Sequence, residues 1–169
     1  MKRPIAYHIT FTTYGTWLHG DNRGSVDKDN NQYGSDFVKP NLVLIKKEQC
    51  ALKNPPVTLS QSQRRIALKA ILDVCRFESW CAYAVHVRSN HIHIVVNGDE
   101  KPEDMLVKFK RYTTIALRNI EGKSAIKKYW TKHGSTRYLW TKESLCSAIR
   151  YVKNEQGKPL EFGRTEPRM

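Results

Sequence analysis

From Tyr7 to Thr12 the chain alternates strictly, with Tyr7, Ile9 and Phe11 on one side and His8, Thr10 and Thr12 on the other. A period of two marks a half-buried strand. A second alternation runs from His91 through Ile92, His93 and Ile94 to Val96; it follows the turn-like Arg88-Ser89-Asn90 and an apolar run from Trp80 to Val87. Together these read as a hairpin. Three other stretches switch to the helical period. Ser60 and Gln63 form a capping-box signature, and Ile66, Ala70, Ile71 and Val74 recur on one face, so the first helix is expected to end near Glu78. Pro102, Glu103 and Asp104 suit the first turn of a second, whose buried stripe is Met105, Leu106, Phe109, Tyr112, Ala116, Leu117 and Ile120. In the last, Thr141 is the N-cap, Trp140 and Leu145 hold the staple positions, and Leu145, Ala148, Ile149 and Val152 form the stripe. Gly157 reads as its C′ residue, and Pro159 bars continuation. Tyr138-Leu139-Trp140 suits a short strand ahead of it.

The order is then strand, helix, strand, strand, helix, strand, helix. This is an α+β pattern: a ferredoxin-like antiparallel sheet with helices on one face, plus a C-terminal tyrosine-bearing helix. One domain, 1–169, is expected, with a loop-rich insertion at about 15–59. Gly15, Gly20, Gly24, Gly34, Pro40, Pro55 and Pro56 break up that insertion, leaving room for a short strand at 41–45. Its Trp17 and Arg23 are candidates to stack on or clamp a nucleotide, and an ordered surface loop explains them equally well.

Charge narrows the partner. Lys and Arg number 29 against 16 for Asp and Glu, a formal net charge of +13. Such an excess points to a polyanion, above all nucleic acid. Lys110, Arg111, Thr114 and Arg118 fall on the outer side of the second helix, and Arg137 ends a basic connection that begins at Glu121. These cations are candidate phosphate contacts. No apolar run approaches the ~20 residues of a membrane span, and no signal-peptide segment follows Met1-Lys2-Arg3-Pro4. Cys50, Cys75, Cys81 and Cys146 form no Cys-x-x-Cys pair and read as packing residues in a reducing compartment. A cytoplasmic, nucleoid-associated protein is expected.

The candidate chemistry sits at two places. Residues i and i+2 of a strand share a face, so His91 and His93 project two imidazoles side by side. Two imidazoles leave most positions of a metal ion open for substrate oxygens; a half-buried strand with two histidines at its wet end would look the same. On the last helix Tyr151 and Glu155 lie one turn apart. At about 100° per residue, Tyr151 lies about 110° and Glu155 about 70° from the centre of the buried stripe, so both sit on the flank. Glu155 would complete a His-His-Glu metal set, and the Tyr151 phenol would attack phosphorus to form a covalent phosphotyrosine. Tyr112 is the rival nucleophile, but it falls on a buried stripe. His86 would face Ala82 and Ala84 as a packing or supporting residue, and His133 is a further phosphate candidate.

His91-Ile92-His93 on a strand of a small basic ferredoxin-like domain resembles the HUH single-tyrosine transposases: the small insertion-sequence transposases and the REP-associated tyrosine transposases. Tyr151-Val152-Lys153-Asn154-Glu155-Gln156 is similar to the family's Tyr-(Ile/Val)-x-x-(Gln/Asn) helix, with Glu155 where the amide usually stands and Gln156 next to it. Tyr7-His8-Ile9 and Trp140 are similar to a first strand and to a Trp that precedes the tyrosine helix. The likeness leaves out the insertion. It implies binding of single-stranded DNA beside a hairpin or palindrome, and cleavage with Mg²⁺ or Mn²⁺ to a 5′-phosphotyrosine and a free 3′-OH. Rejoining then needs no ATP. It admits homodimers that supply the tyrosine helix in trans as well as monomers, and it leaves Glu155 and Gln156 both open as third ligand. The competing readings are a non-catalytic single-stranded nucleic-acid-binding module, against which stands the lack of a Lys/Arg-Gly-Phe run, and a metal-dependent nuclease that uses water.

Overall fold

The computed structural model describes residues 3–18, 41–121, 126, 128–157 and 162–163. Strands β1 (Ala6–Thr12), β2 (Cys81–Val87), β3 (His91–Asn97), β4 (Ser135–Leu139) and β5 (Phe162–Gly163) form one sheet in the order β4-β1-β3-β2-β5. The pairings β1–β3, β1–β4, β2–β3 and β2–β5 are all antiparallel. The helices are α1 (Leu42–Ala51), α2 (Gln61–Phe77), α3 (Pro102–Glu121) and α4 (Lys142–Asn154). Leaving out α1 and β5, this is the expected ferredoxin-like order, and the four main strands take the matching arrangement. Among the described residues no helix is long and apolar enough to cross a membrane.

Each face of the sheet has its own core. Ile9 and Phe11 of β1 join Ile92, Ile94 and Val96 of β3 and Val85 and Val87 of β2 on one face. There α2 lays down Ala67, Ile71, Val74 and Cys75, and α3 adds Met105, Phe109 and Leu117. On the other face α4 packs Ala148 and Val152 against Ala6, Ala84, Val95 and Leu139. This second cluster is small and sits toward the Val95 end of β3. The His91–His93 end of the same face lies beyond this cluster, with His93 buried and His91 half-buried.

The N-caps of α2 and α4 hold as expected. Ser60 and Gln63 form a reciprocal capping box on α2, and Thr141 does the same with Ser144 on α4. With Glu155 as the C-cap of α4, Gln156 takes the C′ position expected for Gly157, and Gly157, with φ of +76°, stands one residue further at C″.

Four expectations change. Asn41 to Ile45 is not a strand: the Asn41 side chain accepts from the amides of Val43 and Leu44 and starts α1, a helix with no buried residue. The Asn41 cap gives the first-turn amides an acceptor, and this outweighs the strand preference of the β-branched Val43 and Ile45. The end of the insertion is ordered by the core, with Val57 and Leu59 buried. Residues 19–40, and with them Arg23, lie outside the described residues. Tyr112 and Ile120 are not on a buried stripe, being 37% and 67% exposed; Tyr112 lines a groove between α2 and α3 with Ile66, Phe77 and Ile115. Cys50 and Cys146 are exposed, so of the four thiols Cys75 is the fully packed one.

Gly98 closes β3 under a tryptophan. A Cβ there would stand 2.4 Å from Trp80 Cδ1 and 2.6 Å from Met105 Cε, both core atoms. Gly98→Ala is expected to destabilise the fold by about 1–3 kcal/mol, the usual cost of overpacking. Urea unfolding followed by circular dichroism measures this, and an unchanged midpoint would show that the Trp80 ring gives way freely.

Candidate active site

The site grows out of strand register. Thr10 of β1 stands opposite His93, Thr12 opposite His91 and His8 opposite Val95. The polar sides of β1 and β3 therefore fall on the same face, the one that α4 partly covers. His91 and His93 lie with ring centroids 4.9 Å apart at 89°. His91 Nδ1 is 2.8 Å from Asn90 Oδ1; a carbonyl oxygen only accepts, so the ring proton sits on Nδ1 and the lone pair on Nε2. His93 Nδ1 is 2.9 Å from Thr10 Oγ1 and 3.2 Å from His8 Nε2. A proton on that nitrogen would likewise leave its Nε2 as the lone-pair donor.

Helix α4 brings in the tyrosine. Tyr151 is 40% exposed, as its place on the flank requires. Its ring lies 5.7 Å from that of His93 at 88° and 6.0 Å from that of His8 at 66°. Phenol, His93 and His8 are thus neighbours within one chain. Trp17, at the start of the insertion, sets its ring edge-on to His91 at 6.2 Å, which gives that tryptophan a place at the site's border.

Burial keeps the His93 and His8 rings neutral. His93, 6% exposed, is driven down to about 2, first by burial and then by the neighbouring histidines, while a hydrogen bond with the Gln156 side chain works the other way. Burial, helped by Arg137, lowers His8 to about 4. Neutral rings at ordinary pH are metal donors and hydrogen-bond acceptors, not fixed cations.

Of the expected third ligands, the Gln156 side chain reaches His93. Glu155 is the exposed C-cap of α4, its amide bonded to the Tyr151 carbonyl. Among the described residues no three His, Cys, Asp or Glu side chains are grouped to hold a metal, so Glu155 does not complete the set with His91 and His93. The Glu155 side chain stays exposed at the C-cap, while the half-buried Gln156 turns toward His93. Two imidazoles and an amide are neutral N and O donors, and they fit a divalent ion that keeps positions open.

The basic residues separate. Arg137, on edge strand β4, stands opposite His8 in register and reaches the site electrostatically. Arg111 and Arg118 are exposed on α3, in the layer across the sheet. Lys110, expected to contact phosphate, is engaged within the chain: its ammonium donates to the carbonyls of Thr131, Lys132 and His133. All three N–H groups are engaged within the chain, and burial lowers the group to about 8. His133, exposed, takes part through that carbonyl.

His8 is the residue that pattern reading passed over. The alternation of β1 put it on the polar side, but only the β1–β3 register puts it beside His93.

The depressed histidines link stability to pH. Their folded values lie below the ordinary 6.5, so the contribution is complete above about pH 6.5 and is lost as the pH falls. For His8 the loss runs from about 6.5 to about 4, and for His93 it continues toward about 2. The unfolding free energy is expected to fall by up to about 1.4 kcal/mol per pH unit for each such proton. Denaturant titrations at pH 7, 6, 5 and 4 test this: His8→Asn should flatten the slope above pH 4, and an identical slope in the variant would remove His8 from the account.

The sequence matches no protein-family model and no curated protein. Among solved structures it is similar to one titled "Structure of the REP associates tyrosine transposase bound to a REP hairpin", with 13% identity and a TM-score of 0.47. The likeness covers 90% of this chain and 66% of that one, so this chain spans less than two thirds of its neighbour's length.

Proposed function

We propose that the protein is a metal-dependent enzyme that cleaves and rejoins single-stranded DNA through a covalent bond to Tyr151, and that it does so in cis. The observation that carries this reading is the placement of the Tyr151 ring against His93 and His8 of the same chain. An exposed phenol on a helix flank is ordinary; one set edge-on to two neutral histidines on an open sheet face is a reactive group beside a ligand set. In this reading His91, His93 and the Gln156 amide would hold a divalent ion, Mg²⁺ or Mn²⁺. That ion would supply charge neutralisation on the scissile phosphate.

The chain's own groups do the rest. Thr10 and Asn90 fix the ring orientations of His93 and His91, as supporting groups do at metal sites. Arg137 at the edge offers a bidentate cation to the backbone of the strand. The Tyr151 oxygen attacks phosphorus, the bond from phosphorus to the 3′-oxygen breaks, and that oxygen takes up the proton the phenol gives up. A 5′-phosphotyrosine and a free 3′-OH result. Attack by a 3′-OH on the phosphotyrosine reverses the step and restores the phenol, which is how ends are rejoined without a nucleotide cofactor. Hairpin or palindromic DNA is the proposed partner.

The second reading is a non-catalytic module for unpaired nucleic acid. It draws on the stacked pair Tyr138 and Trp140, whose ring centroids are 6.0 Å apart at 16°, both exposed. Such a pair could hold a base whether or not chemistry follows.

One experiment separates the two. Labelled hairpin-flanked single-stranded DNA incubated with the protein and Mg²⁺ is expected to give an adduct that survives denaturation. Tyr151→Phe should abolish the adduct and keep DNA affinity within about twofold, because only the hydroxyl is lost. Tyr112→Phe, on the far helical layer, should leave it intact. No adduct from the unaltered protein under any metal condition would favour the binding module.

A second measurement tests the ligand set. Calorimetric Mn²⁺ binding should disappear in the His91→Ala, His93→Ala double variant and weaken by about 10–100-fold in Gln156→Ala. Glu155→Ala should bind as the unaltered protein does. A reversal of the last two results would return the third position to Glu155.

A further inference from the structure

His86 is fully buried and has no part in the chemistry above. It stands directly opposite His93 in the β2–β3 pairing. Its side of the strand is set by a register shift between Ala82 and Ala84. Such a bulge reverses the parity of a strand: Ala82 and Val85 both join the α2–α3 core, while Ala84 faces α4. His86, two residues beyond Ala84, therefore faces α4 as well.

His86 Nδ1 lies 3.1 Å from the carbonyl oxygen of Val152. A carbonyl can only accept, so the proton is on Nδ1. Val152 is in the last turn of α4, where the final four carbonyls have no partner within the helix. The neighbouring Tyr151 carbonyl is met by the Glu155 amide; Val152 depends on the imidazole. His86 Nε2 is buried and has no hydrogen-bond partner among the described residues. A ring that buries an unsatisfied nitrogen carries a desolvation cost, so its retention has to be explained by what the other nitrogen does.

We infer that His86 is the positioning residue of the site: its Nδ1–H bond to Val152 pins the tyrosine helix to the strand that pairs with β3, and so fixes Tyr151 relative to His93. The same ring touches neither DNA nor the reacting oxygen. It acts through the peptide next to the nucleophile, at the one turn of α4 where the helix's own hydrogen bonds run out. Loss of the bond leaves the turn free to shift, and misplacement of a reacting group by about 1 Å can cost a hundredfold in rate.

The inference rests on the Tyr151 reading for its catalytic half only, and the test keeps the halves apart. His86→Asn retains an N–H where Nδ1 stood; His86→Leu and His86→Phe retain bulk and lack the donor. Amide hydrogen exchange in the last turn of α4 should speed up at least about tenfold in the Leu and Phe variants and stay near the original rate in Asn. The rate of adduct formation on hairpin-flanked DNA should fall at least about tenfold in Leu and Phe, with DNA affinity unchanged, and recover within a few-fold in Asn. Unaltered exchange in both donorless variants overturns the inference whether or not an adduct ever forms. A missing adduct in the unaltered protein overturns the Tyr151 reading instead, and the exchange result still decides whether His86 holds the helix. Donorless variants that fail to fold while His86→Asn folds would make the bond a requirement of the fold and overturn its assignment as a positioning residue.

Discussion

Everything at the site depends on the pairing of β1 with β3. Side chains alternate with a period of two, so a slip of one residue would send His91 and His93 into the α2–α3 core and Ile92 and Ile94 into water. The register is held from the buried side. Ile9 opposite Ile94 and Phe11 opposite Ile92 place large apolar groups face to face under the two helices. Burying side chains of that size contributes about 1.5–3 kcal/mol each, far more than the polar contacts on the other side. The hydrophobic face sets the address, and the imidazoles follow. Thr10 meets His93 because Ile9 meets Ile94.

The placement of α4 then decides the character of those imidazoles. The helix covers one end of the polar face with Ala148 and Val152 and stops at Asn154, where the histidines begin. His93 ends up nearly enclosed, and His91 remains half-buried. The same partial roof sets the Tyr151 ring, still 40% exposed, beside them. A longer buried stripe on α4 would have sealed the histidines in; a shorter one would have left them hydrated, with ordinary basicity. Enclosure without sealing keeps His8 and His93 neutral while Tyr151 stays 40% exposed.

Much of this was legible in the chain, and the misses share a cause. Strand and helix periods located β1, β3, α2, α3 and α4, and His91, His93 and Tyr151 with them, because each is a local pattern. His8 escaped because its neighbour comes from a strand 85 residues away in sequence. His86 shares the side of Ala84 as expected, but Ala82 does not, because a single extra residue in β2 reverses parity, and nothing in Ala82-Tyr83-Ala84 announces it. Lys110 read as a surface cation because its three acceptors belong to a distant segment. The Leu42–Ile45 run read as a strand because β-branched residues are common in strands, yet a capping asparagine starts a helix there. Tyr129 and Trp130, buried in the core, lay hidden in what read as a basic connection. Local period is visible in a sequence; register, bulges and long-range acceptors are tertiary.

The long excursion after β1 leaves and returns at one point. The Val57 amide bonds the Tyr14 carbonyl at 2.8 Å, the Leu59 amide bonds the Ser89 carbonyl at 2.7 Å, and a Cβ on Gly15 would come within 3.1 Å of Pro56 Cα. A segment whose ends are stitched together exerts no leverage on the frame that carries it. Lengthening a flexible loop between fixed ends costs about 0.6 kcal/mol of closure entropy for each doubling. The domain therefore has a port at which chain can be lengthened, trimmed or exchanged while the sheet keeps its register, and that port opens beside Trp17 and His91. Whatever is grafted there arrives at the rim of the histidine face.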